Sequence, residues 1–327
     1  MTRFWLDEFI RRSRIPYPIF FGVASIVFYL IGIPLMIATD NLQPFLSEPQ
    51  WVYLAIGGFV NGISVIFIFR KFSNSLSSIK HLIGSEDEFQ KINGKLLGFL
   101  THRVLWIFVA FWPVMNIVAH SARATSHMNW WWFYNHPFLS TVYYYVDGGP
   151  TWIFGGIFFY MIPFGLTLAY RELCLKTSFN ADVLSVEWME PFTGFKNLIT
   201  LTMLIAVINA LLCIVIWAPT LEQTPLIYFP YTSMAVILVP TILFPHHFFH
   251  RFFYRIREKR LREFRSELVK IQNLKKNDKM SEILLLLRKG EVEKMKTWLL
   301  DVKILGEVIA VALMHVILIE VLTTIIH

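Results

Sequence analysis

Residues 234–276 read MAVILVPTILFPHHFFHRFFYRIREKRLREFRSELVKIQNLKK. The first part is mostly apolar up to Phe249, holds Pro240 and Pro245, and ends in three histidines, His246, His247 and His250. From Arg251 to Lys276 there is no proline or glycine, and Arg, Glu, Lys and Leu dominate, which favours helix. Leu261, Phe264, Leu268 and Ile271 fall at helical spacing and form one apolar stripe. Asn277-Asp278 breaks the pattern, and a second stripe follows through Met280–Leu287, Val292, Met295, Leu299 and Val302. The chain then enters another apolar run, Ile304–Ile326. The expected unit is two membrane helices joined by an antiparallel helical hairpin over residues 251–302.

The same alternation of apolar runs and charged connections extends back to the amino terminus. Of 327 residues 55% are apolar and only 16% are charged. A water-soluble domain carries about a quarter. Runs of about twenty residues with little or no charge match the roughly 30 Å hydrocarbon layer. They start at Tyr17–Ala38 and continue with Trp51–Phe69, Leu96–Ala119, Thr151–Tyr170, Leu198–Ala218, Pro230–Phe249 and the final run. Gly57-Gly58 and Gly62 in the second run, and Gly155-Gly156 in the fourth, allow a neighbouring helix to come close. Pro163 lies inside the fourth. The expected fold is all-α: a polytopic transmembrane bundle of about seven spans with a cytoplasmic helical hairpin. Residues 1–16 form an amino-terminal segment whose apolar positions share a face, as in an interfacial helix. Residues 17–250 hold spans one to six, and residues 303–327 hold the last.

Charge placement fixes the expected orientation. With seven spans and a cytoplasmic amino terminus, all of the 30 Lys and Arg except Arg123 lie in cytoplasmic segments. The carboxyl terminus is then external, and the plasma membrane is the expected location. The net charge of +7 reflects topology rather than a groove-binding surface, and no nucleic-acid motif accompanies it. The external connection 121–150 carries Trp130-Trp131-Trp132-Phe133-Tyr134 and Tyr143-Tyr144-Tyr145, aromatics that prefer the headgroup layer. It is expected to lie along the membrane or dip into it.

Three sets of residues are candidates for function. Glu307, His315 and Glu320 are ionisable groups inside the last span, and Asn61, Asn116 and Asn209 are amides inside others. Such groups are costly in hydrocarbon and mark transport pathways when they face a polar cavity. His246, His247 and His250 form a possible metal set, since imidazoles at i and i+4 share a helix face. Arg255, Arg257, Arg262 and Arg265 on the basic helix are candidates for contact with anionic lipid or a partner. Cys174 and Cys213 show neither a disulfide framework nor a zinc-ligand spacing. No phosphate loop, dinucleotide fingerprint or nucleophile elbow occurs. The leading expectation is a channel or transporter for ions or small solutes, with a homo-oligomer as one arrangement. The rivals are a scaffold, receptor or sensor acting through the hairpin, and a haem- or iron-dependent membrane oxidoreductase.

Overall fold

The computed structural model describes residues 4–38, 40, 42–47, 50–111, 149–177, 179, 190–217, 228–273, 279–294, 297 and 306. The last span with Glu307, His315 and Glu320, the amide of Asn116, and residues 121–148 of the aromatic connection lie outside them. Among the described residues every regular element is helical. The helices are α1 Trp5–Ser13, α2 Tyr17–Ala38, α3 Leu42–Ser47, α4 Gln50–Ser78 and α5 Glu86–Leu100. After them come α6 Gly149–Tyr160, a π-helical turn Met161–Leu166, α7 Thr167–Lys176, α8 Thr193–Trp217, α9 Tyr228–Asn273 and α10 Lys279–Glu293.

Five stretches are long and apolar enough to cross a membrane: Tyr17–Ala38, Val52–Ser78, Glu86–Phe111, Gly149–Leu175 and Glu190–Asn209. They correspond to the first five expected spans. The sixth expected span forms the start of α9, which continues without a break into the basic segment. In α2 the buried residues Phe21, Ser25, Gly32 and Met36 form a single seam. The opposite face, with Ile19, Val23, Ile26, Val27, Leu30 and Ile31, is exposed and wholly apolar. Such a face belongs in lipid rather than water.

Lipid tails are as apolar as leucine, so packing and polar contacts hold membrane helices together rather than the hydrophobic effect. Small residues make that packing possible here. A Cβ at Gly58 would stand 2.9 Å from Pro150 Cβ and 3.1 Å from the Thr151 amide nitrogen, so α4 and α6 meet nearly backbone to backbone. The Thr151 hydroxyl donates across this seam to the carbonyl of Leu54. A Cβ at Gly156 would stand 2.7 Å from Val109 Cα, which brings residues 105–111 across the other side of α6. Phe21 of α2 fills the notch at Gly62 and meets Phe154 edge to face at 4.9 Å.

The charged ends of the helices gather at one end of the bundle. There α1 lies against α4. Phe4, Leu6 and Ile10 are buried, and Phe4 packs on Phe69 at 5.1 Å. Asp7 pairs with Arg70 at 2.7 Å, and the guanidinium of Arg70 also lies over the Tyr17 ring. Trp5 and Phe9 stay about half exposed, with Trp5 stacked on Trp106. That is the two-faced arrangement of an interfacial helix. Lys95 pairs with Glu172 at 2.5 Å, closing the same end between α5 and α7. Ser85 caps α5 by accepting from the Glu88 amide.

Beyond this end α10 packs on α9. Leu261 and Val292 are buried, and Phe264, Leu268 and Ile271 are half-buried. The carbonyl of Thr297 lies 3.2 Å from His250 Nδ1, so the chain after α10 comes back to the level where α9 leaves the bundle. Arg262 reaches the backbone carbonyl of Glu258 at 3.4 Å, while the carboxylate of Glu263 serves Lys259 and Arg260.

The glycine seams give a paired prediction. Gly156→Val should prevent assembly of the bundle, because its nearest obstacles are backbone atoms of Phe108 and Val109. Gly98→Ala, where a Cβ meets nothing within 4 Å, should stabilise α5 by about 0.5–1 kcal/mol. Size-exclusion profiles and thermal unfolding of the two proteins in mild detergent check both. A monodisperse, wild-type-stable Gly156→Val protein would contradict the packing.

Candidate functional site

Two helix irregularities lie side by side near the charged end. The first interrupts the third apolar stretch. Helix α5 stops at Leu100, residues 101–104 are non-helical, and helix resumes at Leu105. His102 holds the restart: its Nδ1 accepts from the Val104 amide at 3.3 Å, and its carbonyl accepts from Leu105 at 2.9 Å. The Phe99 carbonyl, left without a helical partner by the break, takes the Tyr160 hydroxyl at 2.8 Å.

The second irregularity is the π turn Met161–Leu166. Pro163 lies within it and has no N–H to give, so a regular ladder cannot pass through this point. The turn widens instead of breaking, a local device frequent at functional sites. A Cβ at Gly165 would stand 3.3 Å from the Phe99 carbonyl oxygen and 3.2 Å from Leu100 Cα, so the π turn rests on the broken end of α5. On its other side it contacts α9.

Below these irregularities is an aromatic floor. Tyr170 of α7 touches Phe72 of α4 at 5.8 Å, Phe195 of α8 at 6.1 Å and Phe249 of α9 at 5.5 Å. Phe192 adds contacts to Phe249, Phe252 and Phe253. The floor ends at a polar clasp, where Arg255 Nη2 donates to the Cys174 carbonyl at 2.8 Å.

Several polar atoms in this interior have no hydrogen-bond partner among the described residues. They are both ring nitrogens of His246, the hydroxyls of Tyr170 and Thr167, Asn61 Oδ1 and Ser25 Oγ. His246 is 3% exposed and Tyr170 1%. An unpaired buried polar group costs about 1–3 kcal/mol, so each one calls for a physical reason. Thr167 differs from its neighbours. Ser64, Ser75 and Thr202 return their hydroxyls to a carbonyl of their own helix. The residue four before Thr167 is Pro163, inside the π turn.

The sequence-derived candidates fall into different settings. Asn61 is buried in α4 opposite Gly155 of α6. Asn209 is also buried, but its amide donates to the Ile205 carbonyl at 3.1 Å within α8. The three histidines do not converge: His246 is buried, His247 is exposed, and His250 is turned to the Thr297 carbonyl. Among the described residues no three His, Cys, Asp or Glu side chains come together to hold a metal. Arg255 is engaged with Cys174 and Arg251, Arg257 Nε is buried without a partner, and Arg262 and Arg265 are exposed. Sequence reasoning picked out Pro163 and His246 but not Thr167 or Tyr170. In the sequence both are ordinary members of an apolar run, and no spacing separates them from packing positions.

Tyr160→Phe should strand the Phe99 carbonyl and lower stability by about 1–3 kcal/mol, the cost of one unpaired buried group. Thermal unfolding in detergent reads this directly, and an unchanged midpoint would show that the broken end of α5 is satisfied otherwise. No family model, curated protein or solved structure matches the chain.

Proposed function

We propose that this chain is a polytopic membrane protein that moves a small polar solute or ion, held here in a closed conformation. The observation that carries this reading is a pair of polar levels separated by an apolar plug. Asn61 marks one level, beside Gly155. Thr167, Tyr170 and His246 mark the other. Twelve helical residues separate Gly155 from Thr167, about 18 Å. Between them Phe158, Met161, Ile162 and Leu166 are buried, and the π turn that carries the last three packs against α5 and α9. A broken helix and a π turn flank the plug, the kind of discontinuity that lets helices rearrange around a path.

Orientation follows from charge. The end bearing α1, Arg70, Arg103, Arg171 and Arg251 is assigned to the cytoplasm, the amino terminus with it and the carboxyl terminus outside. The assigned compartment is the plasma membrane. The last span, with Glu307, His315 and Glu320, would add ionisable groups to the same path, as Asn116 would add an amide. The α9–α10 pair is assigned as the cytoplasmic hairpin, with Arg257, Arg262 and Arg265 toward anionic lipid.

A second reading has its own observation. Ile283, Leu284, Leu286 and Leu287 on α10 are about half exposed, an apolar face on a helix that already packs on α9 through its other side. A scaffold or sensor would use that face for a partner.

Flux in reconstituted vesicles separates the two. Met161→Ser should open the plug and raise solute or ion leak about tenfold or more, the factor given by about 1.4 kcal/mol off a barrier. Leu284→Asp with Leu287→Asp should leave that leak unchanged. Silence of the Met161→Ser protein toward ions and small solutes alike, with cellular function lost only in the leucine variant, would favour the scaffold and sink transport.

A further inference from the structure

We infer that α1 is a docking surface for the anionic phospholipids of the cytoplasmic leaflet. Trp5 and Phe9 enter the boundary of the acyl chains, and Arg11, Arg12 and Arg14 take the headgroup phosphates. The inference concerns the rim alone and holds whether or not a solute crosses the bundle.

The nine residues of α1 divide into faces at about 100° per residue. Leu6 and Ile10 point together into the bundle and are buried. Asp7 turns to Arg70 on one side of that seam. Trp5 and Phe9 lie on the other side, 45% and 55% exposed. Their neighbours say what covers them. The Trp5 ring stacks on Trp106, and the Phe9 ring meets Phe20 of α2 edge to face at 5.8 Å. Trp106 leads on to Ile107 and Phe111, exposed apolar residues at the end of the candidate span Glu86–Phe111. Phe20 is followed on α2 by the exposed apolar face of Val23, Ile26 and Val27. The aromatic edge of α1 is therefore continuous with the apolar surfaces of two candidate spans. Lipid that covers those spans reaches α1 as well, and Trp suits the boundary layer because its ring has an apolar body and a polar edge.

Charge selects the kind of lipid. Arg12 lies seven residues after Trp5, only about 20° round the axis, so the apolar edge ends in a guanidinium. Arg11 is turned about 100° further, toward water. One carboxylate, Glu8, orients both, at 2.8 Å from Arg11 and 3.1 Å from Arg12. The two arginine side chains still stay 64% and 76% exposed. Arg14 ends the helix in the left-handed conformation, is exposed, and makes no ion pair among the described residues. Asp7 is matched by Arg70 and Glu8 offsets one of the three arginines, so positive charge is left over. Guanidinium groups bind phosphate through paired N–H donors. A zwitterionic headgroup brings its own cation and leaves the surplus unbalanced, whereas an anionic one meets it. Free phosphate would meet the charge but leave Trp5 and Phe9 uncovered. An apolar edge with a basic end is the pattern of a helix lying in an anionic membrane surface.

The test follows thermal unfolding of the purified full chain in mild detergent. Dioleoylphosphatidylglycerol, dioleoylphosphatidylcholine and inorganic phosphate are titrated separately. Phosphatidylglycerol should stabilise wild-type protein saturably, phosphatidylcholine more weakly, and phosphate not at all. Arg14→Gln breaks no side-chain contact among the described residues and should raise the phosphatidylglycerol midpoint about fivefold. Arg11→Gln, Arg12→Gln and Arg14→Gln together should raise it at least about tenfold and bring the two lipids level. Trp5→Ser with Phe9→Ser should weaken the response to both lipids. Arg262→Gln with Arg265→Gln, on α9, should keep the wild-type midpoint. Equal action of the two lipids on wild type, or phosphate acting as well as lipid, would overturn the proposal. So would a midpoint unmoved by the α1 arginine variants, or moved as far by the α9 pair.

Discussion

In the hydrocarbon layer of a membrane, backbone carbonyls and amides must find their partners within the protein. The structure around Pro163 depends on that requirement. Proline withdraws one donor from the ladder, and the helix answers by widening rather than ending. The widened turn then rests on α5 where that helix is broken, and the orphaned Phe99 carbonyl is taken up by Tyr160. Two defects that would each be expensive alone share one neighbourhood. Between them they account for their backbone groups but leave the side chains of Thr167, Tyr170 and His246 unanswered. Local backbone repair and unpaired polar side chains thus occur in the same stretch of chain and on the helix packed against it.

The second constraint is close approach. Where hydrophobic driving force is absent, contact area and small residues decide which helices meet. Gly57, Gly58 and Gly62 on α4 and Gly155 and Gly156 on α6 make α4 the central helix, touched by α2, α6 and α8. The charged end is built differently. Ion pairs such as Asp7 with Arg70 and Lys95 with Glu172 are partly exposed and contribute little energy individually. Their effect is on arrangement: they hold α1 against α4 and α5 against α7 at one rim.

Much of the scaffold was legible in the residues. The run Tyr17–Ala38 is bounded by polar and charged residues, and it forms a helix with those ends. The double glycines of the second and fourth spans announced close packing: Gly57, Gly58 and Gly155 meet each other's helices, while Gly156 meets residues 108–109. The continuity of α9 past Arg251 followed from a segment without Pro or Gly, even though Pro240 and Pro245 precede it. Helix α4 was read too short, ending at Phe69. Phe72, Ser75 and Leu76 stay buried beyond it because Asp7 accommodates Arg70 and α8 covers the extension. The unpaired interior side chains were not legible as such. Proline predicts a disturbance but not its form, and the packing of α7 on α9 depends on the register of two helices far apart in sequence. Periodicity carries no information about that register. The histidine triplet looked like a set because the residues are adjacent in sequence, yet helix geometry sends them to three surroundings.

Helix α9 has a mechanical meaning beyond its contacts. Its 46 residues run about 69 Å along the helix path. The buried histidine sits near its middle, and about 35 Å of helix lies beyond the point where Thr297 of the returning chain meets His250. A tilt of about 5° at His250 would carry the far end roughly 3 Å sideways over that length. A small change in the packing of α7 on α9 is therefore amplified with distance along the basic part of the helix, which holds no proline or glycine.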